Sequence, residues 1–101
     1  MNKPEFTINL NEATASDFIA YAKSLEAYEA EQRIETAKTF VNTEVMPYIL
    51  DRTIRGLRDL CIEGEAIKGD IDIIINILTE RGFNVTRVPN RLKMVVRWNW
   101  N

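Results

Sequence analysis

The sequence predicts an α+β domain in which a small antiparallel sheet packs on three or four helices, the sheet being a C-terminal hairpin over 83–88 and 91–98 with a strand over 5–10. Three observations carry this. Residues 5–11 alternate apolar and polar, residues 14–63 place apolar side chains at intervals of three and four, and residues 83–98 alternate on both sides of Pro89-Asn90. With 101 residues, 46% of them hydrophobic, the chain can bury one core but not two, so a single domain over 1–101 is expected.

At 5–10, Phe6, Ile8 and Leu10 fall on one side of a half-buried strand. Thr14 and Ser16 offer N-caps, and Asp17 suits the positive end of a helix dipole. Phe18, Ile19, Ala22, Leu25 and Tyr28 follow at helical spacing. Ile34, Ala37 and Val41 extend the stripe, with Ala27 and Ala30 in step, as one helix or as two joined near Glu31. Asn42 and Thr43 can cap a fresh helix over 44–63 with Pro47 in its first turn; Leu50, Ile54, Leu57 and Cys61 then share an apolar face, and Gly64 serves as C-cap. Residues 65–68 allow a short strand. Both periods fit 71–78, and its boundaries favour a helix: Asp70 is a good N-cap, and Leu78 to Phe83 has the form of a helix closed by a left-handed Gly82. In the hairpin, setting Val88 opposite Arg91 pairs Val85 with Met94 and Phe83 with Val96. Those four share a face with Leu92, Trp98 and Trp100, while Asn84, Thr86, Arg91, Lys93, Val95 and Arg97 share the other.

The net charge of −2 conceals a gradient. Residues 1–51 hold four basic and nine acidic side chains, residues 52–80 four and six, and residues 81–101 five and none. Such asymmetry marks either an anion-binding element or complementary surfaces within one fold or between subunits. No apolar run reaches the roughly 20 residues of a membrane span, and the N-terminus lacks the hydrophobic stretch of a signal peptide, so a cytoplasmic protein without a membrane partner is expected. A single cysteine fits a reducing compartment. The absence of histidine removes Ser-His and Cys-His pairs and imidazole metal ligands.

No catalytic residue, metal site or cofactor is assigned. Asp70 and Asp72 carry the right atoms for a divalent cation, but a cap and a first-turn acid use both structurally. Glu63 and Glu65 read as exposed acids at a helix end. Cys61, flanked by Asp59 and Glu63, reads as a buried small hydrophobe, because a reactive thiolate wants cationic neighbours. Glycines at 56, 64, 69 and 82 match no phosphate-binding loop. The acidic residues Glu26, Glu29, Glu31 and Glu35 read as a solvated helix face. The best candidate surface is the cationic hairpin face of Arg91, Lys93 and Arg97, with Arg81 and Arg87 close in sequence, and with Trp100 as an overhanging anchor. It suits a protein partner or a small anionic ligand. Nucleic acid is disfavoured, since that face carries no aromatic residue for stacking. A homo-oligomer would use the stripe from Ala27 to Val41.

In general form the carboxyl-terminal half is similar to small accessory proteins of tailed bacteriophages, over roughly residues 42–98. The likeness lies in a helix over 44–63 with an early proline, in the run Ile77-Leu78-Thr79-Glu80-Arg81-Gly82-Phe83-Asn84-Val85, and in Asn90 to Trp98 ending a hairpin on tryptophan. The resemblance implies a protein that acts by binding: inhibiting a host protein, sequestering a signal or assisting assembly.

Overall fold

The computed structural model describes residues 2–99, and the chain forms two compact units that meet in sequence between Arg33 and Ile34. In the first, residues 2–14 form no strand. Asn9 to Glu12 turn, with the Glu12 amide donating to the Asn9 carbonyl at 2.9 Å, and Ile8 and Leu10 are exposed. Among the described residues no strand pairs with this segment to supply the ladder that alternation needs, and Phe6 instead stacks on Phe18 at 4.9 Å and meets Tyr21 edge-on at 5.3 Å. The strand expected at 5–10 is therefore corrected to an irregular segment held by aromatic contacts. Thr14 caps the helix as expected. Its amide donates to Asp17 Oδ2 at 2.8 Å and the Asp17 amide returns a bond to Thr14 Oγ1, a reciprocal capping arrangement.

Helix α1 (Ala15–Phe40), a π-helical turn (Val41–Val45) and α2 (Met46–Ile54) follow one another with no break in the helical backbone. No fresh start occurs at Asn42 or Thr43. Pro47 has no amide hydrogen and would crowd the carbonyl four residues back, and the wider turn before it accommodates this, with the Met46 amide bonding to Val41 O. The run ends at Gly56, whose φ of 84° allows the Leu57 amide to close on Arg52 O at 2.9 Å. With α3 (Ile71–Glu80) this makes two helical runs among the described residues, not three or four; the α+β class itself stands.

The helix expected to reach residue 63 is the larger correction. Asp59–Glu63 is a strand, β1, and Gly64–Ala66 is a single 3₁₀ turn rather than a helix end or the start of a strand over 65–68. Leu60 and Ile62 are buried, whereas Leu50 and Ile54 are 61% and 77% exposed and Cys61 is exposed. The core of the second unit forms around Ala37, Phe40, Val41, Val45 and Ile49, with Leu60, Ile62, Ile71, Ile74, Leu78, Met94 and Val96 against them. Ala37 and Val41 are thus consumed by the chain's own core rather than left for a subunit interface.

Helix α3 agrees with its reading. Asp70 accepts from the Asp72 and Ile73 amides, and the Phe83 amide reaches Leu78 O at 3.1 Å past Gly82, φ 93°. Strands β2 (Asn84–Arg87) and β3 (Lys93–Arg97) complete an antiparallel sheet in the order β1-β3-β2. Their register is displaced by two from the expected one: Val85 faces Val96, Thr86 faces Val95 and Arg87 faces Met94. The Val88 amide donates to Lys93 O, leaving a four-residue loop at 89–92 with Asn90 at φ 60° instead of a two-residue turn. A displacement of two keeps the strand side chains on their expected faces, while Arg91 and Leu92 pass from the expected strand into the loop. Trp98, just beyond β3, packs edge-on against Phe83 at 6.1 Å and donates from Nε1 to Thr53 Oγ1 at 3.0 Å.

Candidate functional site

Alternation in β1 and β3 gives the sheet one face in the core and one outside. Leu60, Ile62, Met94 and Val96 fill the inner face. The outer face presents Asp59, Cys61 and Glu63 from β1, Lys93, Val95 and Arg97 from β3, and Asn84 and Thr86 from β2. Register sets Asp59 beside Arg97, Cys61 beside Val95 and Glu63 beside Lys93. An acidic row therefore lies against a cationic row, and the Lys93 Nζ to Glu63 Oε2 separation is 3.8 Å. The charge gradient of the sequence is in part resolved within the sheet, because the acid-free C-terminal segment takes as neighbour a strand with acids at both ends.

The five candidate cations do not converge on one point. Lys93 and Arg97 share the outer face about 13 Å apart, four strand residues at ~3.3 Å each. Arg91 sits in the 89–92 loop, not on a strand. Arg87 is on the other face, where its Nη1 donates to Asp72 Oδ1 at 2.6 Å, and Arg81 lies at the C-terminal end of α3. By register, Arg97 is beside Asn84 at the end of the sheet nearest Arg81, while Lys93 is at the end nearest Arg87 and Arg91. Trp100 lies outside the described residues. Asp70 and Asp72 play the structural parts expected of them, with Asp72 also engaged by Arg87.

Sequence reasoning missed the acidic half of this surface, since Asp59, Cys61 and Glu63 were assigned to a helix. The signal that finds them is Gly56 as a helix terminator followed by the alternation of Leu60 and Ile62. Beside β1 a shallow cleft of about 320 Å³ is lined by Tyr48, Leu60, Cys61, Ile62, Glu63 and Ala66. The β1 edge is partly closed: the Arg52 guanidinium donates from Nε to the Asp59 carbonyl, and its Nη2 lies 3.2 Å from Asp59 Oδ1. Among the described residues no group of three or more acidic or cysteine side chains is arranged to hold a metal ion, and no helix is long and apolar enough to cross a membrane.

The fold and surface place the chain among α+β proteins with a three-stranded antiparallel sheet open on one face. No protein-family profile, curated protein or solved structure matches it.

Proposed function

We propose that the chain is a non-enzymatic binding protein that engages a protein partner through the outer face of its sheet. The observation that carries the reading is the pattern on that face: Asp59 and Glu63 in one row, Lys93 and Arg97 in the next, around the exposed Cys61 and half-buried Val95. Patterned charge around a less polar centre selects a partner by complementarity, and a wrong partner pays for every like-charge contact. The resemblance to phage accessory proteins supports a bacterial host protein as that partner, met in the cytoplasm and inhibited or modulated by occupation of its surface. A small anionic ligand would need convergent cations, which the spacing of Lys93 and Arg97 along β3 does not favour.

The test is capture from bacterial lysate by the tagged chain and by the R91Q/K93Q/R97Q variant. Glutamine removes the three charges without setting a new acid opposite Glu63 or Asp59. The expected result is a captured protein that the variant, folded by circular dichroism, fails to retain. Equal capture by both would set the face aside.

A further inference from the structure

We propose that the outer sheet face also receives a second copy of this chain, giving a face-to-face dimer; the inference takes the binding reading of that face and names an occupant for it. The sheet face is complementary to itself in charge under two-fold symmetry. Asp59 and Arg97 are register partners, as are Cys61 and Val95, and Glu63 and Lys93. Consider a two-fold axis between two stacked sheets, parallel to the strands and above the gap between β1 and β3. It carries β3 of one copy over β1 of the other at the same height along the strand. Asp59 then faces the second copy's Arg97, Glu63 faces its Lys93, and Cys61 faces its Val95. Each contact occurs twice, so four opposite-charge contacts, added to the Arg52–Asp59 and Lys93–Glu63 pairs within each chain, surround a small, less polar centre, and the surface is complementary to itself as an isologous interface requires. Stacked sheets cross at about 30°, which moves side chains two residues from the centre by only about 3 Å, within the reach of lysine and arginine.

The strand edge does not offer the same opportunity. Antiparallel pairing of two β1 strands about Cys61 would set Asp59 opposite Glu63, acid against acid, and Arg52 already occupies the Asp59 carbonyl. The face is small: three strands of about five residues span roughly 14 by 16 Å, well below the ~800 Å² per partner of a standard interface. The dimer is accordingly weak, concentration-dependent and sensitive to salt.

The test is sedimentation equilibrium up to about 1 mM protein, the weak limit of useful affinity. Wild type, E63K, K93E and an equimolar mixture of the two variants are compared, with circular dichroism as the control for folding. In either variant alone the dimer would set like charges together, the side chain introduced by E63K over Lys93 or that introduced by K93E over Glu63. In the mixed pair the two introduced side chains, of opposite sign, meet each other, and Lys93 meets Glu63. The expected result is a wild type whose mass rises toward twice 11.7 kDa, single variants that remain monomeric, and a mixture that associates again. Mixing cannot repair a clash inside one chain, so restoration reports the interface itself. A monomeric wild type overturns the proposal, as does a wild-type dimer whose variants also dimerise or whose mixture stays monomeric. The binding reading falls on a different result, equal capture by the glutamine variant, so the two fail separately.

Discussion

Exchanging the partners of the alternation in β1 separates the strand from the helix that the apolar spacing suggested. Ile62 is 7% exposed in the core, and its neighbour Cys61 points outward. Ile62→Ala removes three buried carbons, about 2.4 kcal/mol at ~0.8 kcal/mol per methylene, and the cavity left behind raises the cost to about 3–4 kcal/mol. For a chain of this size the whole folding stability is about 5–15 kcal/mol. With a urea dependence of about 1–1.5 kcal/mol per molar, the unfolding midpoint falls by roughly 2–4 M. Cys61→Ala changes an exposed position and stays within about 0.5 kcal/mol. Urea titration followed by tryptophan fluorescence reads both, because Trp98 lies against Phe83 and α2 in the folded chain. In a helix over 44–63 with Cys61 on the apolar stripe the order would be reversed. Equal losses, or a larger loss at Cys61, would refute the strand.

Trp98→Phe leaves an aromatic ring against Phe83 and removes the Nε1 donor to Thr53 Oγ1, at a cost of about 1 kcal/mol in urea titration followed by circular dichroism; Thr53 still donates to Ile49 O at 2.7 Å, so a loss above about 2 kcal/mol would contradict the arrangement. Gly82→Ala meets no atom within 4 Å but forces φ near 93°, so its cost, about 1–2 kcal/mol by thermal or urea unfolding, is that of the backbone alone, and a neutral result would remove the left-handed closure of α3.

What could be read from the sequence divides along a physical line. Helix α3 was legible because its signals are local: Asp70 before it and Gly82 after it satisfy its own free backbone groups. The faces of the hairpin were legible while its register was not. An even displacement preserves which side chains point inward, and the loop that sets the displacement depends on Asn90 at positive φ. β1 was illegible because a strand owes its ladder to a remote partner, here β3, whereas Leu50, Ile54, Leu57 and Cys61 fall at helical intervals without sharing a buried face. The segment at 5–10 shows the converse: alternation is present, and no strand pairs with it. The candidate site inherits these limits. Lys93 and Arg97 were identified together, but their acidic neighbours came from the strand that was missed, so a surface read as purely cationic is one of opposed charges.

Binding at the outer sheet face would cover the thiol of Cys61, which lies at the middle of that face and is exposed in the free chain. The measurement is the rate of Cys61 alkylation in dilute protein, alone and after addition of the protein captured from lysate. Fast labelling of the free chain that slows in proportion to the partner bound is the expected result. A rate unchanged by a partner known to be bound would place binding elsewhere on the molecule and contradict the claim.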